Sequence, residues 1–531
     1  MVSPFVCMLR FYTHKSLNFF FNQKFFIMKN KISNYLMLLG LPLTLFVLIG
    51  INACRNIVDV RRYDVVFTAL TDDNNLLTLN SDAPSDVLKK VAITGLPNGE
   101  NIKSIDFRPA TGQLYGVGSS SRLYIINPES GMARALGTGA FTPAINGSIV
   151  GIDFNPTVDR IRLVTNNGQN LRLHPETYAV VATDGMLNPG TPAVSEVAYT
   201  NNKAGASTTI LYAIDVNTDK LYRQDPPNAG TLVEVGSLGV NAEGAAGFDI
   251  TTLDFALAAL KVGGKSALYV LNTQTGRVLK LGNFPTGANI IGLAISTEPV
   301  AYAINGTNTL LIFNPFNPSP VSKTISGLQS GERILGLDMR PVNGQLYALG
   351  STSRLYTLNA SSGAATVVGS APFATALSGT EFGFDFNPTV DRIRIVSNTG
   401  QNLRAHPETG ALASVDGNLN PGTPVVSAAA YTNNFAGATS TTLYVLDAVN
   451  KKLYTQVPPN NGTLVNVATV SDDFSSANGF DIGGTSGKGY VLLTDENTTK
   501  IWSINLQTAQ LSNGIKFPLD DIRGFTLGLG F

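Results

Sequence analysis

Apolar and polar positions alternate in short runs through almost everything after residue 64, and small polar residues break the runs. A two-residue period belongs to strands with one buried face, whereas a helix repeats its apolar residues every three to four positions. The clearest paired runs are LYGVG (114–118) and RLYIIN (122–127) joined by SSS, and IRLVT (161–165) and QNLRLH (169–174) joined by NNG. LYAID (211–215) and KLYRQD (220–225), joined by VNTD, form a third pair. Gly, Asn, Asp and Ser accept positive φ or hydrogen-bond their own backbone, so each pair predicts a β-hairpin. A third strand ending in Gly follows (ARALG, LVEVG, VLKLG), and a short strand such as GIDF (151–154) precedes through a turn such as NPTVD. The unit is a four-stranded meander.

The meander repeats on two scales. FNPTVDRIR at 154–162 returns at 386–394, an offset of 232 (386 − 154), and 38 of the 53 positions from 150 to 202 recur identically at 382–434. Within each half the hairpins return about every 46 residues, which makes five units per half. The longest link runs from the third hairpin-side strand to the next GIDF-like strand, where a propeller needs to step from one blade to the next. The first half opens on DVVFTAL with no inner strand before it, while GLAI (292–295) and GLGF (528–531) are inner-type strands ending the halves. The expected class is therefore all-β: two tandem five-bladed β-propellers of four-stranded blades over 65–297 and 298–531, each closed by its own end strand. One ten-bladed propeller, closed only by 528–531, fits the same strings.

The strings DFNPTVDRIR, GQNLR, HPET and LNPGTP, with LYxVG and RLYxxN hairpins, resemble the bacterial family called domain of unknown function 4394, here in tandem. The resemblance implies an extracytoplasmic repeat protein and supplies no catalytic residues.

Composition narrows the function. Equal numbers of basic and acidic residues, 37 each in 531, leave no net field to favour nucleic acid. Two cysteines, Cys7 and Cys54, make no disulfide framework, and three histidines leave little for zinc or triad chemistry. From Met28 the chain reads MKNKISNYLMLLGLPLTLFVLIGINAC: two lysines, an apolar run, then small residues before Cys54. Residues 28–53 thus read as a lipoprotein-type signal with Cys54 as the lipidated residue, 1–27 as a leader or start-site artefact, and 54–64 as a linker. An uncleaved membrane anchor is the alternative; either places the rest in the cell envelope, outside the cytoplasm, periplasmic or at the surface.

The candidate chemistry centres on the inner-type strands. SIDF, GIDF, GFDI, GLDM, GFDF and GFDI put Asp106, Asp153, Asp249, Asp338, Asp385 and Asp481 at one equivalent position, with Tyr199, Ala294, Tyr431 and Gly530 expected at that position in the other units. Three carboxylates around one channel would raise one another's pKa or recruit a divalent cation such as Ca2+. The competing reading makes each Asp a hydrogen-bond acceptor that holds blades in register. Asp159, Arg160 and Arg162, repeated as Asp391, Arg392 and Arg394, read as turns with solvated charges. His174 and His406 read as turn residues, and Asp215, Asn217 and Asp219 as a hairpin turn that imitates a calcium loop. No cofactor other than that cation is expected. The expected role is a lipid-anchored binding or scaffold module for a protein or glycan partner; the alternative is a glycan hydrolase or lyase using the channel aspartates.

Overall fold

The computed structural model describes residues 64–496 and 498–531; the signal-like segment and Cys54 lie outside the described residues. The described residues form one compact unit of ten four-stranded antiparallel sheets, of the kind that makes propeller blades, with no α-helix. Among them no helix is long and apolar enough to cross a membrane.

One sheet serves for all. Ile102–Phe107, Leu114–Gly118, Leu123–Ile126 and Ala133–Ala135 lie side by side in chain order. Ser121 takes φ 61° in the SSS turn, and its counterpart Ser353 takes φ 62°. The two end sheets are completed out of order: Ile290–Ile295 pairs with Val66–Thr71, and Ile522–Leu527 pairs with Ala301–Asn305. Each half thus finishes its own first sheet. The first strands of successive sheets pack against one another in a closed cycle. In the first half these inner strands are Ile102–Phe107, Val150–Asn155, Val194–Tyr199, Gly244–Ile250 and Ile290–Ile295; in the second they are Ile334–Arg340, Phe382–Asn387, Val426–Tyr431, Ser476–Ile482 and Ile522–Leu527.

The core lies between neighbouring sheets. Tyr115, Val117 and Leu123 meet Phe154, Ile161 and Leu163, and the second half repeats this with Tyr347, Leu349 and Leu355 against Phe384, Phe386 and Ile393. Each fully buried side chain of this size contributes about 1.5–3 kcal/mol. Glycine lets the inner strands approach: a Cβ on Gly383 would stand 2.7 Å from that of Ala429, and one on Gly247, at φ +145°, would stand 2.4 Å from that of Leu293. The halves touch through the turn after Phe107, where the Tyr302 hydroxyl donates to Ala110 O at 2.9 Å and Gly530 N–H to Thr111 O at 2.8 Å.

Two sequence expectations are corrected. The closing strand of the second half is Ile522–Leu527, not 528–531; GFTLGLGF holds two similar strings, and the earlier one pairs. The residues at the aspartate-equivalent position of the remaining inner strands are Ala198, Ala430 and Thr526 rather than Tyr199, Tyr431 and Gly530. Tyr199 and Tyr431 donate their N–H groups to Asp153 and Asp385, which aligns them with the residue after each aspartate; Leu527 does the same toward Asp481. Ala294 stands where expected.

Candidate functional site

The inner strands gather the six aspartates into two triads. One carboxylate oxygen from each of Asp106, Asp153 and Asp249 lies within 4.8 Å of the other two, and the same holds for Asp338, Asp385 and Asp481. All six residues are only 1–2% exposed. Asp106 accepts from the N–H of Phe107 at 2.7 Å and, across the gap, from Phe154 at 2.8 Å. Asp249 accepts from Ile250 and Ile295, both at 2.6 Å, and Asp338 from Met339 and Phe386, both at 2.7 Å. Each such carboxyl links its own strand to the next one, as the blade-register reading requires.

Burial, with mutual repulsion added for several of them, raises these carboxyls. It is the main cause for Asp249, pushed up to about 7, and for Asp481, pushed up to about 6. Asp106, Asp153, Asp338 and Asp385 are held well above the usual range by burial first and by their fellow aspartates second. The surroundings of the triads differ at two positions. In the second, Thr526 Oγ1 stands 2.9 Å from both Asp338 Oδ1 and Asp481 Oδ2; in the first, that position is Ala294. The first triad has a neighbour the second lacks: Glu196, 3% exposed and raised by burial, where the second half has Ala428.

Of the charges in the FNPTVDRIR turns, Asp159, Arg162 and Arg394 are buried rather than solvated, contrary to the sequence reading, while Asp391, Arg160 and Arg392 are half-buried. Asp159 is 4% exposed and receives a forked pair of bonds from Arg108, fully buried on the preceding sheet, which also reaches Glu176 Oε1 at 2.7 Å and Gly344 O at 3.2 Å. Arg162 is 2% exposed and bonds Asp184, Asn170 and Asn228 at 2.6–2.8 Å; Arg394 repeats this with Asp416, Asn402 and Asn460. Their partners lie one turn or one sheet away, so a local reading of the string misses them. Arg160 and Arg392 instead donate to the carbonyl groups of their own turns. His174 and His406 do sit in turns, accepting at Nδ1 from Glu176 and Glu408 N–H, and burial lowers His174 to about 4. Asp215 caps its hairpin by accepting from Asn217 N–H at 2.8 Å.

Two of the clefts on the described surface bear on function. One of about 580 Å3, mostly apolar, lies where the halves meet, with Gln113, Thr297, Val342 and Phe531 in its lining. The other, about 510 Å3, lies at the starting ends of the second half's five inner strands and carries Arg333, Glu381, Asn478, Asp521, Arg523 and Ser427. Moving back 232 positions gives Asn101, Ile149, Ala246, Asn289, Ile291 and Ser195, so five of the six polar groups differ between the copies. The Ser427 hydroxyl is buried without a partner, whereas Ser195 bonds Ile214 O at 3.5 Å. Half-burial raises Glu381. None of these cleft residues stood out in the sequence, although the 232-residue offset would have found the substitutions.

The model of the family described as Domain of unknown function (DUF4394) matches twice, at residues 75–294 and 309–526. The chain belongs to the DUF4394 family. No curated protein matches this DUF4394 chain. Among solved structures it is similar to the extracellular domain of the putative one-component system BT4673 from B. thetaiotaomicron, at 13% identity and TM-score 0.26, covering 86% of this chain and 65% of that one. It is also similar to PorZ of Porphyromonas gingivalis, described as a bacterial surface component of the type-IX secretion system, at 13% identity and TM-score 0.26, covering 86% and 60%. The tandem DUF4394 domains span less than two thirds of either of those chains.

Proposed function

We propose that this protein is a lipid-anchored, extracytoplasmic binding module of two five-bladed β-propellers, and that its second propeller takes a glycan at the cleft over its inner strands. Two five-membered rings are favoured over one ten-membered ring because each half completes its own first sheet and its inner strands neighbour one another in a cycle of five. The lipid anchor at Cys54 rests on the signal-like segment alone.

The observation that carries the binding reading is the exchange of Asn101, Ile149, Ala246, Asn289 and Ile291 for Arg333, Glu381, Asn478, Asp521 and Arg523 at one end of the fold. Packing between sheets does not call for two arginines and two carboxylates around an open cleft. A polyhydroxylated ligand does, because its hydroxyls both donate and accept. The hydrolase reading loses support from the burial of the aspartates at 1–2%, which leaves a sugar ring no approach.

The test is binding of the full chain to an array of bacterial envelope glycans, beside the pair Glu381→Ile and Arg523→Ile, which installs the first half's residues. Retention of one glycan class by the native protein, lost in the pair, supports the reading. No retention, or retention that the pair leaves unchanged, overturns it.

A further inference from the structure

We propose that the first propeller, and not the second, holds one hard divalent cation, calcium foremost, between Asp106, Asp153 and Asp249 at the centre of its inner strands, with Glu196 beside it. An ion bound at 2.3–2.6 Å to three oxygens in its plane needs them about 4.0–4.5 Å apart. The three carboxylates already lie within 4.8 Å of one another, on strands whose close packing sets that spacing.

Two side chains stand beside the triad, and one of them, Glu196, is peculiar to this half. Asn202 is 2% exposed, its Nδ2 lies 3.5 Å from Asp249 Oδ1 and its own Oδ1 is buried without a partner; Asn434 in the second half is equally buried with its Oδ1 equally unpartnered, so the contrast between the copies rests on Glu196 and Ala294. An amide oxygen is the kind of neutral donor that completes a calcium shell. Glu196 is 3% exposed, its carboxyl shows no hydrogen bond or ion pair with a described residue, and it adds to the repulsion felt by Asp153. It stands on the inner strand next to that of Asp153, beside Gly151, where a Cβ would come within 2.9 Å of Glu196 Cα. A buried carboxylate without a cation, proton or donor is among the most costly groups a fold can contain. Four carboxyls share this region.

In the second propeller the carboxyls are bridged from within. Thr526 Oγ1 reaches both Asp338 and Asp481 at 2.9 Å. A hydroxyl has one proton, so it donates to one carboxyl and accepts from the other, which must then be in its acid form. The hydroxyl and that shared proton take the place of an ion, and Ala428 stands where the fourth carboxyl would be. The first propeller has Ala294 instead of the hydroxyl and keeps the extra carboxyl, so its charge is left for an ion from outside.

The experiment is calorimetric titration of the full chain with Ca2+ at pH 7.5, with thermal melts in Ca2+ and in EDTA as a second readout. The expected result is one ion per chain and a higher Tm in Ca2+. Ala294→Thr installs the hydroxyl that the other propeller already accommodates, and should abolish both effects while the variant still melts cooperatively. Glu196→Ala should weaken binding by at least about tenfold. Absence of heat and of a Tm shift in the native protein overturns the proposal. So does binding that survives Ala294→Thr unchanged, since it would then belong to surface carboxylates.

Discussion

The two halves share their topology and much of their sequence, yet they treat the same buried charges differently. Arg108, fully buried, lies where the halves meet, with Asp159 and Glu176 5% and 8% exposed beside it. Arg340 makes the same two ion pairs near the surface, with Asp391 27% and Glu408 67% exposed. The aspartate triads diverge by two residues, Ala294 for Thr526 and Glu196 for Ala428. Duplication thus supplies an internal control: where one copy departs from the other while the strands hold their register, the departure reflects surroundings or ligand rather than the fold.

The largest test of this contrast is Arg108→Leu against Arg340→Leu. The first strands two buried carboxylates and a backbone carbonyl, at about 3–5 kcal/mol; the second exposes its carboxylates to water and costs roughly 1–2 kcal/mol. Urea unfolding of the two variants measures the difference, and equal losses would mean that burial under the other half adds nothing. Next comes Thr526→Val, which removes the hydroxyl between Asp338 and Asp481 without changing volume. A loss of about 1–3 kcal/mol is expected, and a melt unchanged from the native protein would deny the bridge.

A smaller effect depends on pH. Glu196 is raised by burial, so between its ordinary titration range and its raised value the native state holds a proton that the unfolded chain has released. Stability from this group therefore falls as pH rises through that window, and Asp249 acts in the same sense between about 4 and about 7. In EDTA, Glu196→Ala should gain Tm relative to the native protein from pH 5 to pH 8; a constant difference would place the carboxyl in water. Smallest of all is Lys220→Ala. Its pair with Glu234 is exposed and has no counterpart, since the second half has Lys452 opposite Asn466, and no resolvable change in Tm is expected.

Much of the fold is legible in the sequence because strands announce themselves locally. Runs such as LYGVG and RLYIIN, with a Ser turn between them, need only neighbours within a few positions. The triads were legible for the same reason: one residue type recurs at one place in a repeated strand. What escaped was register over distance. By alternation alone the end strand reads as 528–531 as readily as 522–527, although counting 232 from Ala294 arrives at Thr526. Arg108 and Asp159 are 51 residues apart (159 − 108), on adjacent sheets, and each alone looks like a solvated charge beside a turn. Glu196 escaped because it is the exception at its position, and repeats draw attention to what recurs.

The way each half finishes its first sheet also sets a timetable. Val66 leaves the ribosome 224 residues ahead of Ile290 (290 − 66), the start of the strand that covers its edge. At common synthesis rates of about 5–20 residues per second, that strand edge stays bare for roughly 10–45 s. During that interval the nascent first half has an open sheet edge to which any passing extended segment can add, and its first sheet is incomplete until Ile290–Ile295 arrives.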